Sequence, residues 1–391
     1  GGMASFALLP AYLGIMSTAS AKMKIPAWKW YGSIFNMFRQ AFPLTEPFTN
    51  QTFDGNVNLY CGTFAIFAIV LYVFNKKIHW KDKLSSVLLL ALFMVSFNSV
   101  TLNYIWHGMH DQYGIPNRFS FLMIFVMLVM AYDVIRRSEA IDFIDVVLAL
   151  FASTALLVTS NNKALGGIEN KVMIASAICL IVYFAIYVLR TAKFINRNTF
   201  NVAITGFICL EIMINGVFGE KVIGFADYES KYSTNDNVTN AYDMVEEMAE
   251  VDGVKGYRAE LMHSKVLDEV TWYHMPSVGV FCSTVTGELV TTMGRLGFYT
   301  GANEFLYMGN TPFTNSILNV RYLLEREGDY NNTTFEYKGT VDSVGIYENK
   351  YALSLGFCVS DKVKEWNRQT GLPMGAQDNL AYYMTGANTF T

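Results

Sequence analysis

The chain has 391 residues, with 29 Lys and Arg against 33 Asp and Glu for a net charge of −4; 52% of it is hydrophobic and only 16% charged. Globular chains carry about 25% charged residues. This composition, with a mean hydropathy of +0.26, excludes an ordinary water-soluble domain and a disordered chain and points to a membrane protein.

The charge divides unevenly, because residues 1–219 hold 16 basic and 10 acidic side chains while 220–391 hold 13 and 23. Two segments of different chemistry meet near Gly219. Neither carries a block of Lys and Arg, so nucleic acid is not an expected partner.

Apolar runs approaching the roughly 20 residues of a bilayer crossing lie near 3–17, 57–74, 84–105, 119–135, 141–159, 171–190 and 200–219. The expected fold is a polytopic α-helical membrane protein with seven transmembrane helices over 1–219. An extracytoplasmic α+β domain over 220–391 follows, incomplete at its C-terminus. The first run opens Gly1-Gly2-Met3 without a polar leader, so it reads as a helix cut open and not as a signal peptide. A longer parent protein is expected.

After the first run, residues 18–56 mix Trp28, Trp30, Tyr31, Phe35, Phe38 and Phe42 with Lys29, Asn36, Arg39 and Gln40, which suits the headgroup interface. An interfacial helix on the outer leaflet is the first reading, and a gate for a lipid substrate the second. Short cytoplasmic loops collect Lys and Arg. Lys76, Lys77, Lys81 and Lys83, then Arg136 and Arg137, then Arg190, Lys193 and Arg197 mark three inner loops. The intervening stretches 101–118 and 160–170 face outward with everything after Gly219; Lys22, Lys24, Lys29 and Arg39 in 18–56 run against this trend.

Polar groups crowd the outer loop Asn103-Tyr104-Ile105-Trp106-His107-Gly108-Met109-His110-Asp111, which continues to Asn117-Arg118-Phe119-Ser120-Phe121. A guanidinium at the head of an apolar run is costly unless it meets an anion. Phosphate is the anion of the headgroup region, and Arg grips it with paired hydrogen bonds. Against this stands a side chain that snorkels to lipid or pairs with Asp111. His107 and His110 with Asp111 make too sparse a set to predict a divalent metal.

Further along, Asp133 sits one turn before Arg136 and Arg137, and Asp142 and Asp145 open a helix at its positive end. Glu211 falls mid-span, with Asn215 four residues on. An intramembrane carboxylate is a functional candidate, and a protonated or Asn-paired carboxyl holding helices together is the alternative.

Beyond Glu220 the pattern is that of a mixed domain. Residues 240–251 place Ala241, Met244, Val245 and Met248 on one helical face before Gly253, and Thr311-Pro312 starts another helix. Strands are expected at 256–261, 279–284, 320–324, 334–338, 343–348 and 355–360. Cys282 and Cys358 invite either a disulfide or two buried thiols in adjacent strands, and there is no CxxC or zinc spacing. Sequons stand at Asn50, Asn237, Asn331 and Asn332.

Trp106-His107-Gly108 followed by Asn117-Arg118-Phe119-Ser120-Phe121 resembles the signature of YfhO-type bacterial membrane proteins. Gly1-Gly2 with Leu8-Leu9-Pro10, and Asn58-Leu59-Tyr60-Cys61-Gly62, are similar to that family's helix starts, although Val57 stands where Pro is usual. Tyr257-Arg258, Asn319-Val320-Arg321-Tyr322-Leu323-Leu324, Glu348-Asn349 and Ala352-Leu353-Ser354-Leu355-Gly356-Phe357 extend the resemblance through the outer domain.

The resemblance implies a GT-C type glycosyltransferase in the bacterial cell membrane. Such an enzyme moves a sugar from a polyprenyl-phosphate carrier to a cell-wall polymer such as teichoic or lipoteichoic acid on the outer face. Its expected partners are membrane lipid, the lipid-linked sugar donor and the envelope acceptor. The family's acidic catalytic residue belongs to a first outer loop expected upstream of residue 1, so no catalytic base is assigned here, and the fragment alone is expected to be incompetent. Arg118, His107, His110, Asn103, Asn117 and Trp106 are the candidate substrate-binding residues. A multi-span transporter and a non-catalytic scaffold with a wall-binding outer domain are the competing readings. Against the transporter, Glu211 is the lone acidic midplane candidate and no internal repeat is found.

Overall fold

The computed structural model describes residues 4–19, 24–32, 35–48, 57–109, 117–161, 167–223, 235–326, 330, 333–367 and 372–387. The chain forms two compact units, one of residues 24–225 and one of 226–391 together with 1–23. The helix α1 (Ser5–Met16) is thus grouped with the second unit, where the carbonyl of Ser17 accepts the Gly287 N–H at 3.0 Å.

The first unit is helical: α2 (Phe35–Phe38), α3 (Thr63–Phe74), α4 (Trp80–Asn98), α5 (Val100–Trp106), α6 (Ser120–Arg136), α7 (Phe143–Ser160), α8 (Asn170–Thr191) and α9 (Arg197–Ile223). At its centre α3 packs against α6, α7 and α8. Phe67, Ala68 and Leu71 of α3 are fully buried among Met127, Met130, Val146, Ala149, Tyr183 and Tyr187. Apolar side chains on the outward faces of α6, α8 and α9, such as Phe125, Ile181 and Met213, stay exposed, as expected of helices whose surroundings are lipid.

Seven spans are not supported. Among the described residues three helices are long and apolar enough to cross a membrane: α7, α8 and α9. The apolar run 57–74 is longer than its helix, because the chain enters α3 through Gly62 at φ +101°, a conformation that favours glycine. At 1.5 Å per residue the 12-residue α3 rises only about 18 Å. The run 84–105 breaks at Ser99, which is extended and caps α5 by accepting the Leu102 N–H at 3.3 Å. The 19 residues of α4 include Lys81, Asp82 and Lys83, α6 has 17 residues, and α1 has 12 with Pro10 inside it.

The aromatic stretch expected to form an interfacial helix is helical only over α2 and the tight turn Arg39–Ala41. Trp30 instead pairs antiparallel with Ser99, and the amide of Asn98 exchanges hydrogen bonds with both backbone groups of Gly32. The break between α4 and α5 frees backbone groups, and this extended segment satisfies them.

The three basic loops gather at one end of the bundle. Lys76 pairs with Asp142, and Lys77 with Glu139 at 3.0 Å. The Asn75 amide donates to the carbonyl of Arg137 at 3.1 Å, and Arg197 donates to that of Arg136 at 3.2 Å. Asp133 pairs with both Arg136 and Arg137, and Asp145 accepts the Asp142 N–H at 2.9 Å to cap α7.

In the second unit α10 (Asn235–Val251) precedes β1 (Arg258–Met262). Then come β2 (Val280–Phe281), α11 (Gly287–Arg295), β3 (Tyr299–Thr300), β4 (Glu304–Leu306), α12 (Pro312–Ile317), β5 (Val320–Glu325), β6 (Phe335–Val341), β7 (Val344–Asn349) and α13 (Pro373–Thr385). The main sheet runs β1-β5-β7-β6, with β1 and β5 parallel and the other pairs antiparallel; β2-β4-β3 form a smaller one. Val238, Ala241, Tyr242, Val245 and Ala249 of α10 pack on Ala259, Leu261, Tyr322, Leu324 and Ile346. The α10 stripe therefore differs from the one expected: Met244 is exposed, while Tyr242 and Ala249 turn inward.

The strand expected at 355–360 is irregular. Cys282 and Cys358 are both free, the first half-buried and the second exposed, so they are neither a disulfide nor buried neighbours in adjacent strands. Asn319 (φ +55°) donates to the Gly256 carbonyl at 2.6 Å, Arg258 donates to Leu318 at 2.6 Å, and Asn349 donates to Val320 at 3.1 Å. The motifs Tyr257-Arg258, Asn319–Leu324 and Glu348-Asn349 thus meet along β1, β5 and β7, where they hold the sheet together.

Candidate functional site

The polar loop is organised by two buried asparagines. Asn103, in the middle of α5, donates its amide to Oδ1 of Asn117, which in turn donates to the carbonyl of Phe97 at 3.3 Å. Asn117 holds φ +57°, a left-handed conformation that asparagine tolerates better than most residues. Both side chains are 1% exposed, and Oδ1 of Asn103 has no hydrogen-bond partner among the described residues.

Aromatic stacking fixes the same corner. Trp106 lies parallel to Phe119 with ring centroids 4.9 Å apart, and Phe119 contacts Phe97 at 4.9 Å. Between the pinned Asn117 and Phe119 stands Arg118, which is exposed and makes no hydrogen bond or ion pair with the described residues. It lies two positions before the first residue of α6, at the helix end whose dipole favours an anion, while the Ser120 and Leu122 N–H groups donate to the Asn117 and Phe119 carbonyls at 2.9 and 3.0 Å. His107 ends α5, half-buried, its N–H on the Asn103 carbonyl at 3.0 Å. His110 and Asp111 lie outside the described residues. Asn103, Trp106, His107, Asn117 and Arg118 are therefore brought to one corner.

Glu211 and Asn215 belong elsewhere and do not pair with each other. The carboxylate of Glu211, 5% exposed, accepts the Thr63 N–H at 2.6 Å and the Tyr60 hydroxyl at 3.0 Å on Oε1, and the Tyr183 hydroxyl at 2.5 Å on Oε2. Thr63 is the first residue of α3, so Glu211 of α9 caps that helix at its positive end. Asn215 accepts the N–H of Leu44, itself at φ +59°, at 2.7 Å. Tyr60 and Tyr183 were not singled out in the sequence. Tyr60 sits inside the Asn58–Gly62 motif, which was the available signal.

A third polar group, in the second unit, also went unmarked. Glu260 of β1 is 3% exposed and accepts the N–H groups of Val278 and Gly279 on Oε1. Burial raises its carboxyl from the ordinary 4.5 to about 7, despite the opposing pull of those two N–H groups and of Arg258. Nearby, Glu269 is buried against Arg326 at 2.5 Å and accepts the Tyr273 hydroxyl at 2.9 Å. Burial pushes the Glu269 carboxyl up, but the hydrogen bonds from Arg326, the Lys265 N–H and Tyr273 outweigh it and hold the group below its usual range. The signal in the sequence is a charged residue inside apolar strand neighbours, as in Ala259-Glu260-Leu261.

Among the described residues no group of three or more His, Cys, Asp or Glu is arranged to hold a metal ion. In comparison with known families, the model described as bacterial membrane protein YfhO matches residues 1–391, the full length given. No curated protein and no solved structure matches.

Proposed function

We propose, because this chain belongs to the bacterial membrane protein family YfhO, that it is a membrane glycosyltransferase of the GT-C type. In this reading it moves a sugar from a polyprenyl-phosphate carrier to a cell-envelope polymer such as teichoic or lipoteichoic acid. The observation that carries the reading is the exposed Arg118, unpaired among the described residues and held between buried Asn117 and stacked Phe119 at the N-terminal end of α6.

Transfer breaks the bond between the sugar's anomeric carbon and the carrier phosphate and forms one to an acceptor hydroxyl. Negative charge grows on the departing phosphate, and fixed positive groups that meet it lower the barrier. Arg118, at the positive end of α6, takes that role. Asn103 and Asn117, both buried, hold this corner from behind, and Trp106 offers an exposed ring there. His107 helps position the phosphate, and His110 is assigned with it from the sequence. The proposal assigns no catalytic base within residues 1–391.

Orientation follows from charge. The loops around Lys76, Arg136 and Arg197 share one end of the bundle, and the positive-inside tendency puts that end in the cytoplasm. Asn103, Asn117 and Arg118 then face outward, and α9, starting at Arg197, leads the chain to the outer side. The C-terminal unit is extracytoplasmic in this reading. The test is sugar transfer in membranes carrying Arg118→Ala, which should abolish transfer at unchanged protein level; undiminished transfer would remove Arg118 from the site.

A further inference from the structure

The second unit contains a cavity of about 580 Å³, bounded by the end of β1, the loop 263–270, Gly279 and residues 306–308. This volume is in the range of small-molecule sites, which combine apolar walls with a few placed polar groups. Leu306, Tyr307 and Met308 supply the apolar wall. The Tyr307 hydroxyl is already committed to Asn315 at 2.9 Å and Asn310 at 3.1 Å, so the residue presents its ring and not its oxygen.

Glu260 is the polar anchor. Both of its hydrogen bonds with the described residues fall on Oε1, which locks the carboxyl in place. Oε2 takes no partner among the described residues, although the side chain is 97% buried by its 3% exposure and lines the cavity. An unpartnered carboxyl oxygen on the wall of a cavity is one of the few placed polar groups with which such a site holds a ligand. The other buried charges nearby are matched internally, Glu269 by Arg326 and Glu325 by the His263 ring at 2.7 Å.

We propose that this cavity binds a neutral, hydroxyl-rich ligand, a short glycan segment, with Oε2 of Glu260 hydrogen-bonded to a ligand hydroxyl, as donor when protonated and acceptor when ionised, and Tyr307 covering an apolar ring face. A sugar ring matches the cavity's two chemistries, since its edges carry hydroxyl donors and its faces carry C–H groups. A carboxyl that burial holds near neutrality also favours a hydroxyl over a cation, because ionising it carries a desolvation cost. The proposal does not depend on sugar transfer at Arg118.

The test is saturation-transfer NMR and hydrogen exchange on the full chain in detergent, with the disaccharide gentiobiose as probe and spermidine as the cationic control. Gentiobiose should show transfer and protect residues 258–270 and 306–308. Glu260→Ala should abolish both, and Glu260→Gln should retain partial binding. Met308→Trp, which fills the cavity from its exposed rim, should abolish binding while exchange in β5 and β7 stays native. Failure of gentiobiose to bind, binding indifferent to both Glu260→Ala and Met308→Trp, or preferential binding of spermidine overturns the proposal. Because Arg118→Ala should leave gentiobiose binding intact, failure here is distinguishable from failure of the transferase reading.

Discussion

Tyr183, in the middle of α8, donates its phenol hydrogen to Oε2 of Glu211 in α9 at 2.5 Å. The same carboxylate takes the first N–H of α3, so three helices meet at one acidic side chain. Glu211→Ala would leave the Thr63 N–H and the Tyr60 and Tyr183 hydroxyls without their acceptor, at a cost of roughly 2–4 kcal/mol. Thermal unfolding in detergent should show this loss, with Glu211→Gln closer to wild type because one oxygen remains. A Glu211→Ala protein that melts like the wild type would show that the cap does not hold the helices.

Arg118 separates charge from geometry. Lys keeps the positive charge but not the paired donors. Arg118→Lys should therefore retain part of the transfer rate that Arg118→Ala loses, with the alanine variant down by roughly 100-fold or more, as for removal of a fixed donor to a developing anion. Steady-state transfer from a labelled carrier is the measurement, and equal losses in both variants would point to paired recognition and not to charge.

Asn117 combines a strained backbone with two side-chain bonds. Asn117→Ala should lose both the tolerance for φ +57° and the bonds to Asn103 and Phe97, about 2 kcal/mol in all. Asn117→Gly recovers the backbone alone and should fall between alanine and wild type. Unfolding midpoints of the three proteins check the order; a glycine variant no better than alanine would mean that the turn's conformation costs little.

Glu260 makes the second unit sensitive to pH in a direction opposite to most acids. Its carboxyl titrates near 4.5 unfolded and about 7 folded, so between those values the folded state binds more protons than the unfolded one. Stability from this group is full below pH 4.5 and is lost as the pH rises through 7, a change of about 3 kcal/mol. Hydrogen exchange of residues 258–281, corrected for its intrinsic pH dependence, should show opening that grows over that range. In Glu260→Gln the dependence should flatten, and an unchanged slope would assign it to another group.

Composition alone decided that the chain is a membrane protein. The alternating basic loops set the up-and-down course of the helices, whose basic ends do meet through Asn75, Arg137, Arg136 and Arg197. The motifs of the second unit and most of its strands were legible because strand pattern and turn residues are local properties. Hydropathy overstated the number of spans, since it measures how apolar a run is, while the ends of a helix are set by backbone turns such as those at Gly62 and Ser99. The partners of Glu211 lie 28 to 151 residues away along the chain, and the N–H groups that fix Glu260 come from a loop 18 and 19 residues on. What a buried carboxyl does depends on which donors the fold carries to each of its oxygens, and only the tertiary structure brings those donors into place.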